Sequence, residues 1–247
     1  MKETYNWKSL FAALAIIILG IVLCVVSAFI MEPWNGIALS VGCSLIASGL
    51  VILLHDFFVE RKLVSPAEDW KLKNITSTRA EINSDCEIEL EHAKRQVDII
   101  AFGLRSFRTT HTEQQIISYL KKGVSFRILT MNPNSEFVSA REQEENNKNI
   151  KDSIIDLIDW ADRINSKNSR GKIIVKGYSS MTLDFYWRVD NAVYIGPYWN
   201  GYESQQTITY KYVKGGKGFK TYTDYFDKLW KNENLTECLT KFTEKTK

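Results

Sequence analysis

SLFAALAIIILGIVLCVVSAFIM (Ser9–Met31) and GIALSVGCSLIASGLVILL (Gly36–Leu54) contain no charged residue. Lys8 and Glu32 bound the first stretch, and His55 and Asp56 close the second. About 20 apolar residues in a helix rise about 30 Å, the thickness of a bilayer's hydrocarbon core. Each stretch is therefore long enough to span. The intervening Glu32-Pro33-Trp34-Asn35-Gly36 reads as a tight turn, so the pair is expected to form a transmembrane hairpin, with spans at about 9–31 and 36–55. A cleaved signal peptide fits poorly, because the first run is too long and a second follows at once.

Lysine and arginine beside short spans mark the cytoplasmic face. Lys2 and Lys8 precede the first span, Arg61 and Lys62 follow the second, and the turn carries none. The expectation is a cell (inner) membrane protein with two spans, both termini cytoplasmic and the lipid bilayer as a partner. In the second span Ser40, Ser44 and Ser48 recur every four residues and share one face. Such a stripe suits close helix packing, and it also suits the lining of a pore in an oligomer. No Asp, Glu, Lys or Arg lies within either span, which argues against a proton relay or charged transport site.

Two of the 32 basic and four of the 29 acidic residues lie in the first 60, so residues 61–247 carry a net charge of +5. That balance suits an anionic ligand and equally a position near an anionic leaflet. Of the four cysteines, Cys24 and Cys43 lie in the spans, while Cys86 and Cys238 stand alone. No Cys/His spacing suggests a metal site or a disulfide framework, which agrees with a reducing cytosol, and no cofactor is expected.

The soluble part alternates. Ser65-Pro66-Ala67-Glu68 is a capping box that predicts a short helix through Trp70 and Leu72, within a helical linker over residues 63–78. Thr78-Arg79-Ala80-Glu81 repeats the signal and opens a helix to about Arg95. A strand at 97–103, a helix at 112–122 and a strand at 124–130 follow. Glu142 to Asn149 reads as polar and exposed, and leads into a helix with Ile150, Ile154, Leu157, Ala161 and Ile164 at helical spacing. Four strand-like runs come next, at 172–178, 183–189, 192–198 and 206–213, with a tight turn at Asp190-Asn191. Gly215-Gly216-Lys217-Gly218 lacks the Walker spacing and reads as a flexible turn. A last helix covers about 219–231. This order predicts an α/β domain over 79–247, a mixed sheet flanked by helices.

The order resembles a single phospholipase D repeat over about residues 79–231. The segments that carry the likeness are Phe102-Gly103-Leu104-Arg105-Ser106, Gly123 to Pro133, the pair Arg188-Val189-Asp190 and Val193-Tyr194-Ile195-Gly196-Pro197, and Tyr225 to Trp230. Active members carry His-x-Lys-x-x-x-x-Asp. With Asp190 as the aspartate, the histidine position falls on Leu183 and the lysine on Phe185, while the serine of the following Gly-Ser pair falls on Pro197. The histidines His55, His92 and His111 lie elsewhere, and a leucine cannot be a nucleophile. The resemblance therefore implies a degenerate, phospholipase-D-like sensor domain that is not an enzyme.

Ligands of such sheets sit beyond the carboxyl ends of the parallel strands. The candidates there are Arg105, Ser106, Arg108, Thr109 and Thr110 after the first strand, and Thr130, Asn132, Asn134 and Ser135 after the second. Arg141, then Asp184, Tyr186 and Arg188 along a later strand, and Tyr198, Trp199, Asn200 and Tyr202 complete the set. Arginines fork onto phosphate, and aromatic faces stack bases. Together with the hairpin this resembles the architecture of bacterial antiphage membrane effectors. The resemblance implies a homo-oligomeric pore gated by a nucleotide or oligonucleotide, with a co-encoded signal-producing enzyme as a further partner. Two alternatives stay open: a membrane-tethered phosphodiesterase or lipid hydrolase using His111, and a membrane scaffold.

Overall fold

A computed structural model describes residues 7–55, 67–145, 149–167, 169–181 and 183–241. The chain divides into two units, Met1–Glu68 and Asp69–Lys247.

In the first unit, α1 (Trp7–Ser27) and α2 (Trp34–His55) form an antiparallel hairpin. Their stretches Ser9–Ser27 and Trp34–His55 have mean hydropathies of 3.1 and 2.4 and are long and apolar enough to cross a membrane. The first helix ends before Met31 and the second begins inside the expected turn, at Trp34. Among the described side chains, Ala13, Gly20 and Ser27 of α1 and Gly42 and Gly49 of α2 are the buried positions. They recur every seven residues, the repeat of a coiled seam. A Cβ on Gly20 would lie 2.8 Å from the Gly42 carbonyl oxygen, and one on Gly49 would lie 2.5 Å from Ile17 Cγ1. The helices thus meet backbone to backbone through glycine. The serine stripe takes no part in this seam. Ser40, Ser44 and Ser48 are exposed, and the Ser44 and Ser48 hydroxyls donate to the carbonyls of Ser40 and Ser44 at 2.9 and 2.8 Å. Lys2, Arg61, Lys62, Ser65 and Pro66, on which the expected topology and the first capping box rest, lie outside the described residues.

The second unit is a mixed eight-stranded sheet in the order β1-β7-β6-β5-β2-β3-β4-β8. Its strands are β1 (Leu72–Thr76), β2 (Gln96–Ile100), β3 (Ser125–Met131), β4 (Ile173–Tyr178), β5 (Phe185–Val189), β6 (Ala192–Gly196), β7 (Thr209–Val213) and β8 (Thr236–Cys238). Strands β2, β3 and β4 are parallel, and every other pairing is antiparallel. The helices are α3 (Arg79–Glu91), α4 (Arg105–Thr110), α5 (Glu113–Lys121), α6 (Glu136–Glu144), α7 (Ile150–Asn165) and α8 (Lys217–Trp230). Val97, Ile99, Phe126, Ile128, Phe185 and Trp187 bury one sheet face with α3, α4, α5 and α7. Ile100, Leu129, Tyr186, Val193 and Ile195 bury the other against α8, through Phe219, Phe226 and Trp230.

The strands read from the sequence are all present, with frayed ends. Five elements differ from expectation. Residues 72–76, assigned to a helical linker, form edge strand β1 on β7; their local pattern is weak and the pairing is tertiary. Strand β8 likewise exists through β4. Helix α4 is a short turn entered through Leu104 at φ +49°, and α6 is capped by the Ser135 hydroxyl. Helix α3 stops at Glu91 rather than Arg95. The glycine turn ends with Gly216 as N-cap of α8.

Candidate functional site

Strand β2 runs out into Ala101-Phe102-Gly103-Leu104, which turns sharply into α4. The turn depends on Gly103: a Cβ there would fall 1.9 Å from Ser153 Oγ, so only glycine lets α7 come this close. Between this turn, α3, the start of β5 and the segment after β6 lies a cavity of about 460 Å³. It sits beside the junction where parallel β2 meets antiparallel β5, the kind of position where ligands of α/β sheets bind.

Arg105, Ser106 and Tyr198 of the predicted ligand residues line this cavity, as does Thr110. The other predicted residues go elsewhere. Arg108 donates to the Gly103 carbonyl at 2.9 Å and lies 3.8 Å from Asp156; burial draws its guanidinium below the ordinary value, against the pull of Asp156. It braces the turn from behind. Thr109 bonds carbonyls of its own helix. Thr130 is fully buried in β3. Asn132 donates to Glu237 and accepts from the Asn134 amide, and so shapes the turn after β3. Arg141 is buried and holds Glu145 at 2.9 Å and the Trp199 carbonyl at 3.3 Å, tying α6 to the segment after β6. Trp199 is exposed and meets Tyr202 edge-on at 5.5 Å, and Asn200 and Asp184 are exposed too.

Tyr186 and Arg188 are a correction of face. They alternate with Phe185 and Trp187, and the cavity lies on the aromatic side of β5. Tyr186 stacks on Phe226 at 5.1 Å on the opposite face. Arg188 lies there too, 3.1 Å from the fully buried Asp98, which also holds Arg127 at 2.7 Å. Burial would lower the Arg127 value, but its bonds to Asp98 and Asp227 outweigh that and hold it raised. This network ties β2, β3, β5 and α8 together. Asp190 is structural as well. At φ +40° it accepts backbone N–H bonds from Lys94, Arg95 and Gln96 at 2.7, 3.1 and 2.9 Å.

His111 is buried at the end of α4. Its Nδ1 lies 3.1 Å from the Phe107 carbonyl oxygen and its Nε2 2.7 Å from Glu87 Oε2, so both ring nitrogens are engaged. Leu183 packs into the core of the opposite face, and Phe185 lines the cavity. Among the described residues no three His, Cys, Asp or Glu side chains converge to hold a metal ion.

Arg79, by sequence no more than the opening of a helix, also lines the cavity. It is 6% exposed, its Nη2 donates to Ser204 Oγ at 2.5 Å, and its Nη1 has no partner. Trp187, another lining residue, has an unpartnered indole N–H. Burial pushes the Tyr198 phenol above its ordinary value, with Arg79 pulling the other way, and burial pushes the Cys86 thiol up. One signal for Arg79 was in the sequence: a cation in the first position of a helix opposes the helix dipole.

No protein-family model and no curated protein matches the chain. Among solved structures it is similar to TrmBL2, an archaeal chromatin protein whose structure shows a novel mode of DNA binding, with 15% identity and a TM-score of 0.41 over 84% of this chain and 71% of that one. It is also similar to NucT from Helicobacter pylori, with 15% identity and a TM-score of 0.39 over 64% of this chain and 94% of that one.

Proposed function

We propose that this chain is a membrane effector: its α/β domain binds a small phosphate-bearing nucleotide, and binding gates a path through the bilayer formed by several hairpins. The observation that carries the reading is the cavity beside β2 and β5, which gathers Arg105, Ser106 and Tyr198 with a buried arginine and an aromatic lining. About 460 Å³ falls within the usual range for one small ligand, about 300–1,000 Å³, which favours a mononucleotide or dinucleotide over a longer oligonucleotide.

Binding without hydrolysis is favoured by Leu183 and Phe185 at the positions where the phospholipase D likeness would put histidine and lysine. The engagement of both His111 ring nitrogens favours it too. The hairpin would span the cell membrane with both termini cytoplasmic, following the flanking lysines and arginines. One hairpin cannot enclose water, so the path requires a homo-oligomer. The serine stripe, turned away from the α1–α2 seam, is the face on which copies would meet. The combination resembles bacterial antiphage membrane effectors at the level of architecture alone. In that setting a co-encoded enzyme would make the signal.

The test is to purify the full chain in lipid nanodiscs, extract small molecules for mass spectrometry, and measure the subunit count. A phosphate-bearing nucleotide in an oligomer is expected. A ligand-free monomer would contradict the reading, and turnover of a generic phosphodiester that vanishes in His111→Ala would replace it with the hydrolase.

A further inference from the structure

We infer that Arg79 anchors the anionic group of the ligand, with the phosphate of a nucleotide on its guanidinium and the base against the aromatic wall. The inference rests on the proposed reading of the domain as a nucleotide receptor.

Arg79 is the exception among the buried and half-buried arginines compared with it. Arg127 and Arg188 share Asp98 at 2.7 and 3.1 Å, and Arg141 holds Glu145 at 2.9 Å. Among the described residues Arg79 forms no ion pair: its polar partners are the Ser204 hydroxyl at 2.5 Å and the Tyr198 phenol, and the Phe185 ring lies 4.2 Å away. Its Nη1 is buried and makes no well-formed hydrogen bond. The two carboxylates lining the same cavity are already committed, Glu87 to His111 at 2.7 Å and Glu145 to Arg141 at 2.9 Å. A buried cation without a counter-charge is costly, and an incoming anion removes that cost.

The position adds a second attraction. Arg79 is the first residue of the 13-residue helix α3, where the dipole is unfavourable to a cation and favourable to an anion. The Thr78 side chain does not cap that end; its hydroxyl donates to Glu81 Oε1 at 2.9 Å instead. Beyond the guanidinium, Phe107, Phe185 and Trp187 give the cavity an aromatic surface, and the unpartnered Trp187 N–H is a donor for an acceptor on the ligand.

The experiment uses the full chain in detergent micelles. The probes are the four ribonucleoside 5′-monophosphates, a cyclic dinucleotide, inorganic phosphate and the parent nucleosides, titrated by calorimetry against wild type and Arg79→Met, with melting curves of both ligand-free proteins. At least one nucleotide should bind, its nucleoside roughly 100-fold more weakly, and Arg79→Met should lose roughly 30-fold or more. The ligand-free variant should melt within a few degrees of wild type, because no charge partner is stranded. Equal affinity in Arg79→Met overturns the anchor while leaving a receptor. Nucleosides or inorganic phosphate binding as tightly as nucleotides overturns the ligand class. A ligand-free Arg79→Met that fails to fold makes the residue structural and overturns the inference. If no probe binds wild type, the receptor reading falls with it.

Discussion

The Arg79 guanidinium lies 4.2 Å from the centre of the Phe185 ring. An arginine from α3 is stacked on the residue of β5 where the phospholipase D likeness would place a lysine. A second cation cannot be added there cheaply. Phe185→Lys would bury an ammonium beside Arg79, with the neighbouring carboxylates already engaged, and should cost about 3 kcal/mol or more. Phe185→Leu keeps the volume apolar and should cost about 1 kcal/mol. Melting curves of the two variants check this. A Phe185→Lys protein as stable as wild type would mean that a counter-charge reaches the cavity.

Asp190 organises the approach to β2 through three backbone N–H bonds made at positive φ. Asp190→Ala removes both acceptor oxygens, and with them all three bonds, and places a residue with a β-carbon but no polar group in the left-handed region. A loss of about 2 kcal/mol is expected, with Asp190→Asn losing less because its amide oxygen still accepts. Chemical denaturation measures both.

The hairpin makes a contrast between two faces of α2. Gly49→Ile puts a branched side chain where even a Cβ lies 2.5 Å from Ile17 Cγ1, so it should part the helices and lower the melting temperature of the hairpin's helical signal. Ser44→Ile lies on the outer face and should leave the seam intact while reducing cross-linked oligomer. Circular dichroism and chemical cross-linking of the full chain separate the two effects.

Cys86 lines the cavity but is buried, and burial holds its thiol well above the ordinary range. A raised value leaves almost no thiolate at pH 8, and the thiolate is the reactive form. Iodoacetamide at pH 8 should therefore leave Cys86 unmodified while the protein is folded, and alkylate it in denaturant. Peptide mass mapping reads the outcome.

Much of the fold was legible because it rests on local pattern. The uncharged runs produced α1 and α2, and Ile150, Ile154, Leu157, Ala161 and Ile164 marked α7 over its length. Asp190 marked the β5–β6 turn. Strand β1 was not legible, because Leu72–Thr76 finds its partner β7 far along the chain. The site was legible only in part for the same reason. Arg105 and Ser106 follow β2 directly, so position alone located them. Tyr186 and Arg188 looked more like ligand residues than Phe185 and Trp187, yet the packing of α8 decided which side of β5 faces the cavity. The isolation of Arg79 depends on Ser204, Phe185 and Tyr198, residues no spacing rule could connect to it.

The coupling between cavity and bilayer is most directly measured as ion or dye release from liposomes that carry the purified full chain, titrated with the nucleotide found bound to it. The release rate is expected to change with nucleotide and to saturate with occupancy of the cavity, with Arg79→Met shifting the response to higher concentration. Release that is absent, or that is identical with and without nucleotide at full occupancy, would contradict the coupling.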